Sequence, residues 1–218
     1  MMKNVALKNC ETKKSSLYTG SSVGLFHNLA YYATNLQRTN QGVSDPEGFS
    51  QATRNRIGDE VIARGIKLKW FMENVLDRPN VMYRIIVFRY NTLEGQTGLS
   101  DPYFWRGTDG VGSNMNRMLD APNPERVKVI KEIMIKPTNQ ANYSQPANGA
   151  VGPFVKTNFA ECWIPLNNRK VQYNDSDSRF VRFTDIGFAV TVYDAINTGQ
   201  TDQLANLQWT STFYYKDP

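Results

Sequence analysis

The stretch RIGDEVIARGIKLKWF at residues 56–71 constrains the fold more than any other part of the sequence. Within it, Ile66, Leu68 and Trp70 alternate with Lys67 and Lys69. Because successive side chains of a β-strand point to opposite faces, this alternation predicts a strand with one apolar face and one positively charged face. The apolar face should pack on a second sheet, and the charged face should lie outside the core.

Most of the remaining sequence also has the composition of β-strands. Residues 81–91 are apolar on both faces, so we predict a central strand covered by the second sheet on one side and by a loop or a neighbouring subunit on the other. In residues 185–195 one face carries large apolar side chains and the other carries smaller ones. With the ambiguous segment 27–38 included, we predict about eight or nine strands, at 4–13, 27–38, 60–72, 81–91, 126–136, 158–166, 169–173, 185–195 and 207–216.

Residues 101–125 form the main irregular insertion, in which we predict a short helix around residues 114–119. No segment has the pattern of a long amphipathic helix, and no change of composition marks a linker. Long strands without alternating helices favour a sandwich or a barrel over a parallel α/β sheet. We therefore predict a single all-β domain over residues 1–218.

Positive charge is concentrated in the first part of the chain. The net charge is +5, and residues 1–90 contain 13 Lys and Arg against 7 Asp and Glu, whereas residues 91–218 contain 12 against 13. Such a segment is typical of contact with nucleic acid or another anionic surface, although solvated surface charge has the same signature. We predict nucleic-acid binding by Lys3, Lys8, Lys13, Lys14, Arg54, Arg56, Arg64, Lys67 and Lys69, with Arg84 and Arg89 on the adjoining strand.

Residues suited to catalysis or metal binding are scarce. His27 is the one histidine, so a multi-histidine metal site is not available, and Cys10 and Cys162 are too few for a disulfide framework. The chain has no phosphate-binding glycine loop of the P-loop type and no apolar run of membrane-spanning length. Three pairs of acidic residues could bind calcium, but acidic residues are also typical of turns, which is the interpretation we favour. The pairs are Asp59 with Glu60, Asp101 with Asp109, and Asp175 with Asp177. We predict no catalytic residue, metal, cofactor or membrane partner.

The order of several motifs resembles that of a known viral family. Each motif is weak alone, but together they cover residues 10–218 in order: ETKK (11–14), TNQG (39–42), RIGDEVIARGIKLKWF (56–71), NVMYRIIVFRYN (80–91), ERVKVIKEIMI (125–135), WIPLNNRKVQYN (163–174) and STFYYKDP (211–218). The chain thus resembles the single jelly-roll capsid proteins of circular, Rep-encoding single-stranded DNA viruses, whose capsids are similar to that of satellite tobacco necrosis virus.

The resemblance implies an eight-stranded jelly roll made of two antiparallel four-stranded sheets. It also implies a structural protein without enzymatic activity, which assembles as about 60 copies into a T=1 icosahedral shell around a single-stranded DNA genome. The protein would be located in the virion, and in the host nucleus or cytoplasm during assembly. The host receptor stays open.

The resemblance further suggests which residues join neighbouring subunits, because shells of this kind bury apolar loop surface between copies. We predict a subunit interface containing Phe26, Tyr31, Tyr32, Phe49, Tyr103, Phe104 and Trp105. The family usually begins with an arginine-rich arm, whereas residues 1–15 here carry only Lys3, Lys8, Lys13 and Lys14. Residues 1–15 are therefore a short or trimmed arm, or an extra strand.

Two other classes of protein fit the same composition. A jelly-roll carbohydrate-binding module would need an exposed aromatic platform, often with calcium. A β-sandwich hydrolase would need a pair of carboxylates at a catalytic distance.

Overall fold

The computed structural model describes residues 12–40, 55–56, 58–75, 78, 80–92, 99–106, 116–136, 156–174, 179–194, 199 and 201–217. Lys3, Lys8, Phe49 and Arg54 lie outside these residues. The described elements are β1 (Thr12–Tyr18), β2 (Val23–Phe26), β3 (Ala30–Ala33), β4 (Glu60–Asn74), β5 (Met82–Asn91), α1 (Asp101–Phe104), β6 (Val127–Ile135), β7 (Thr157–Gln172), β8 (Thr184–Tyr193) and β9 (Gln203–Lys216).

The strands form two antiparallel sheets that pack as a sandwich, which confirms the predicted all-β class. One sheet has the order β1-β9-β4-β7, with β2 also paired to β9, and the other has the order β3-β8-β5-β6. Tyr18 at the end of β1 pairs with Thr210 of β9, and Val23 at the start of β2 pairs with Leu207. β1 and β2 are therefore two segments of one edge strand. Counted in this way, the strands give the eight-stranded jelly roll that we predicted, although the first sheet has five separate strands.

The alternation in β4 sets the orientation of the five-stranded sheet. Ile66, Leu68 and Trp70 are completely buried between the sheets, while Lys69 is exposed on the outer face. The three apolar side chains belong to the main core cluster. The second sheet contributes Tyr83, Ile85 and Val87 of β5 and Ile186, Phe188, Val190 and Val192 of β8 to this cluster. The predicted packing of the apolar face on a second sheet is confirmed.

The opposite face of β5 is also buried, as the sequence predicted for a central strand. A second cluster joins Ile86, Phe88 and Tyr90 to Phe104 and Trp105 from the segment around α1. The cover is thus a loop of the same chain. β8 accommodates close packing because Gly187 has no side chain: a β-carbon there would lie 2.8 Å from the carbonyl oxygen of Ala33.

Arg84 fastens the described part of the insertion to this sheet. Its Nε donates to Oε1 of Glu132 at 2.7 Å, and its Nη1 donates to the carbonyl oxygens of Arg117 and Asp120 at 2.7 and 2.6 Å. A buried guanidinium is stable only when its N–H groups have partners. Arg84 therefore stabilises the fold, and its burial removes it from the residues predicted to contact nucleic acid.

Candidate nucleic-acid interface

The outer face of the five-stranded sheet collects basic side chains from two strands. Lys14 of β1 and Arg64 and Lys69 of β4 are exposed, and Lys67 is half-buried. A β-bulge explains how Arg64 joins them: the register with β9 shifts between Ala63 and Gly65, so that Arg64 is the extra residue in that ladder. The bulge lets Ala63 and Ile66 both face the core although their spacing is odd.

Aromatic side chains are interleaved with these cations. Trp163 lies directly across from Lys67, and Phe159 lies across from Phe71. Tyr18, Phe159 and Trp163 are 73%, 61% and 48% exposed, and Phe71 is also exposed. These rings and cations share the outer face of the sheet, and we call them together the basic aromatic face: Lys14, Tyr18, Arg64, Lys67, Lys69, Phe71, Phe159 and Trp163.

Gly65 holds Trp163 flat against the sheet. A β-carbon at position 65 would overlap the indole ring, so only glycine leaves room for it. The indole also meets Tyr214 of β9 in an edge-to-face contact, with ring centroids 5.4 Å apart. The ring is therefore fixed before any ligand binds, which lowers the entropic cost of stacking on it.

The charges on this face are only partly neutralised. Lys67 forms an ion pair with Glu161 at 3.4 Å, but the two side chains are 40% and 50% exposed, so the pair is weak. Arg64 donates to the amide oxygen of Asn168 at 3.0 Å, which orients its guanidinium without cancelling its charge. Among the described residues, no carboxylate forms an ion pair with Lys14 or Lys69. The face therefore has cations available for phosphate groups.

Two other residues predicted to contact nucleic acid have their charges buried within the chain. Arg56 is completely buried, where its guanidinium lies 4.1 Å above the ring of Tyr173 and contacts Asp59. Lys13 is mostly buried, and its ammonium is 2.6 Å from Asp217 and 2.9 Å from the carbonyl oxygen of Asn55. Both cations are internally paired, so neither offers its charge to a ligand.

Phe104 and Trp105, which we predicted in the subunit interface, are core residues of one chain. Phe104 is completely buried, and Trp105 is 1% exposed. The Trp105 ring contacts Phe104 edge-to-face and lies 5.6 and 5.3 Å from the guanidinium carbons of Arg84 and Arg117. The composition of this segment, rich in Pro and Gly, favours a surface loop, but its aromatic side chains pack on the outer face of β5.

The other described interface candidates keep some exposed surface. Phe26 is exposed at the end of β2. Tyr31 accepts a hydrogen bond from Nε1 of Trp209 at 3.1 Å, Tyr32 donates one to Oδ1 of Asp101 at 2.7 Å, and the guanidinium carbon of Arg126 lies 5.3 Å above the Tyr103 ring. Burial and the Asp101 carboxylate raise the pKa of Tyr32, which therefore stays protonated. The role of these four in an interface stays a prediction.

Residues suited to other chemistry have structural partners. Nδ1 of His27 accepts a hydrogen bond from the backbone N–H of Asp194 at 3.4 Å, and burial lowers its pKa despite the nearby carboxylates of Asp194 and Asp202. Cys162 is a buried thiol, and burial raises its pKa. In the part of the chain that the structure describes, no group of three His, Cys, Asp or Glu is placed to hold a metal ion. Nor is any described helix long and apolar enough to span a bilayer.

The aromatic residues of the face were not predicted from the sequence, although their positions within the strands indicate that they face outward. Phe71 has the same strand parity as Lys67 and Lys69. In NFAECWIPL, Phe159 and Trp163 share a parity with Glu161, a polar residue, which marks the outer side of that strand. What the sequence could not supply was the pairing of β7 with β4 that brings the two sets together.

Comparison with known proteins adds no assignment, since no family model matches the chain and no curated protein is significantly similar to it.

Proposed function

We propose that this protein is a viral capsid subunit that self-assembles into a small icosahedral shell around a single-stranded DNA genome. The basic aromatic face supports the proposal most directly. Single-stranded nucleic acid is bound without sequence preference by surfaces that combine cations for the phosphates with aromatic rings for the bases. Lys69 and Trp163 are examples of the two kinds of side chain on one rigid sheet.

The jelly-roll strand order supports the same proposal, because this architecture is common in capsid domains. In the assembled particle the basic aromatic face would point toward the packaged genome. The exposed aromatics elsewhere, such as Phe26, would be covered by neighbouring copies. The role is structural, with about 60 copies in the T=1 shell, in the virion and in the host nucleus or cytoplasm during assembly.

Purified protein should form closed particles of about 20 nm, as expected for 60 sandwich-walled subunits about 10 Å thick per wall. Size-exclusion chromatography with negative-stain microscopy measures this, and the ratio of absorbance at 260 and 280 nm reports the nucleic acid carried. A monomer under every salt and pH condition tested would contradict the proposal.

Neutralising the cations of β4 should weaken DNA binding while leaving the subunit folded. The variant Arg64→Gln, Lys67→Gln, Lys69→Gln removes three exposed or half-exposed charges, so the salt dependence of oligo-dT binding should fall by about 2 in the slope of log K against log salt. Particles of the variant should also carry less nucleic acid.

The matched control removes three exposed charges on other elements: Arg38→Gln, Arg106→Gln, Lys131→Gln. It has the same net charge as the first variant, so a difference between the two reports the location of the charges. Equal nucleic-acid loads in both variants and the wild type would exclude the basic aromatic face as the binding surface.

A carbohydrate-binding module is the second candidate, because such modules need exposed aromatic rings, and the paired strands β4 and β7 carry Phe71, Phe159 and Trp163 on their outer face. The cations beside the rings favour an anionic polymer over a neutral sugar. Calorimetric titration with a neutral oligosaccharide and with oligo-dT separates the candidates: saturable, salt-independent sugar binding lost in Trp163→Ala would favour the module.

A further inference from the structure

A second basic site opens at one end of the sandwich, in the gap between the two sheets. It is a cavity of about 110 Å³ lined by Arg89 of β5, Leu166, Arg169 and Lys170 of β7, Phe183, and Ile186 of β8. Its residues come from both sheets, whereas the basic aromatic face belongs to one. The cavity is therefore distinct from the basic aromatic face, although Asn168, which contacts Arg64, is next to Arg169 in sequence.

Arg89 and Arg169 both line this cavity, close enough for their positive charges to repel each other. Burial lowers the pKa of Arg89, and the positive charge of Arg169 lowers it further. Among the described residues, no carboxylate forms an ion pair with either guanidinium. Lys170 differs, since Glu60 lies 2.5 Å from its ammonium. Two like charges near each other in a partly desolvated site are unfavourable until an anion joins them.

The cavity continues into a wider and more open lobe. This lobe has a volume of about 340 Å³, shares Arg89, Phe183 and Thr184 with the first cavity, and adds Arg126 and Lys128. Glu125 is the one carboxylate among its described lining residues. The excess of positive charge therefore extends beyond one point contact. The Phe183 ring lies where the two lobes meet and is 49% exposed, with the Arg182 guanidinium carbon 5.2 Å from the ring centroid.

We propose that this cleft binds a phosphate group carried by a nucleotide. Arg89 and Arg169 would hold the phosphate, because guanidinium groups match the oxygens of a phosphate with several parallel hydrogen bonds. Phe183 would stack with the attached base, and the wider lobe would accept the rest of the ligand beside Arg126 and Lys128. The ligand class follows from the cleft alone, so the site does not depend on the capsid function. A free mononucleotide and the backbone of a polynucleotide share this chemistry.

The test is a calorimetric titration of the full chain at low ionic strength with dTMP, with oligo-dT and with inorganic phosphate. Arg169→Gln should weaken dTMP and phosphate binding about tenfold or more, through loss of charge-assisted hydrogen bonds. Arg106→Gln, which removes an exposed arginine distant from the cleft in sequence, should change neither. Phe183→Leu should weaken dTMP binding but leave phosphate binding unchanged, which a general loss of structure would not do.

A second measurement checks the repulsion directly. In phosphate-free buffer the melting temperature of Arg169→Gln should equal or exceed that of the wild type. Added dTMP should raise the melting temperature of the wild type but not that of Arg169→Gln. A stronger effect of Arg169→Gln on oligo-dT than on dTMP identifies a polynucleotide as the source of the phosphate, and the converse identifies a free nucleotide. If the affinities for all three ligands are unchanged in Arg169→Gln, the proposal is overturned, whatever the triple variant of β4 shows.

Discussion

Replacing Trp105 with alanine should lower the free energy of unfolding of the isolated subunit by about 3–5 kcal/mol, because the side chain is fully packed and its removal leaves a large cavity. The loss should be at the upper end of this range, since the indole ring also covers the guanidinium groups of Arg84 and Arg117. Chemical denaturation under conditions that keep the protein dissociated measures the change without a contribution from assembly.

Trp163→Ala is the matched control, because it removes the same side chain from an exposed position. We expect it to change the free energy of unfolding by about 1 kcal/mol or less and to weaken oligo-dT binding by about 1–3 kcal/mol through lost stacking. Loss of Trp105 should therefore affect mainly stability, and loss of Trp163 should affect mainly DNA binding. A Trp105→Ala subunit that is as stable as the wild type but unable to assemble would restore Trp105 to the subunit interface.

Replacing Asp185 with asparagine should stabilise the protein above neutral pH by about 2–4 kcal/mol. Asp185 is completely buried, and burial raises its pKa from 3.8 to about 7 even though the backbone N–H groups of Ile186 and Gln37 donate to its Oδ1. Its Oδ2 has no hydrogen-bond partner in the described part of the chain. Asparagine keeps the acceptor and removes the charge that the site cannot solvate.

The sign of the pH dependence follows from the raised pKa. Between about pH 4 and pH 7 the folded state holds a proton on Asp185 that the unfolded state has lost, so this residue's contribution to stability is complete below pH 4 and disappears as the pH rises through 7. The expected slope is a loss of about 1.4 kcal/mol per pH unit across this range.

Asp185→Asn should remove this slope, whereas Glu125→Gln at an exposed position should keep it. Denaturation curves at pH 5, 6, 7 and 8 measure the difference between each variant and the wild type. If the curves of wild type and Asp185→Asn differ by the same amount at every pH, Asp185 does not titrate in this range.

The long strands could be predicted because their side-chain pattern is a local property. The alternation around Lys67 and Lys69 gave both the strand and its outer face, and the two apolar faces of residues 81–91 required a strand covered on both sides. The ambiguity of residues 27–38 also has a local cause. This segment contains one short strand, β3, flanked by Asn28 and Asn35, whose φ values of 57° and 58° fit neither strand nor helix periodicity.

The misplaced residues depend on contacts between distant parts of the chain. The Pro- and Gly-rich composition around Trp105 favours a surface loop, and only the pairing of β5 with β8 and β6 creates the apolar surface on which it packs. Arg56 was assigned to nucleic acid because an arginine beside a strand is usually exposed. Its partner ring belongs to Tyr173, more than 100 residues away. Sequence reading predicts faces well, but not which surfaces meet.

The position of β9 has a consequence for how the protein is made. This strand pairs with β4 on one side and with β1 and β2 on the other, so residues 203–216 occupy the middle of a sheet whose other members are all synthesised earlier. During translation, the inward side of β4, with Leu68 and Trp70, cannot be fully shielded from water until residues 203–216 have left the ribosome. A nascent chain of this topology would therefore benefit from a chaperone, and closure would be slow because each pairing spans much of the polypeptide.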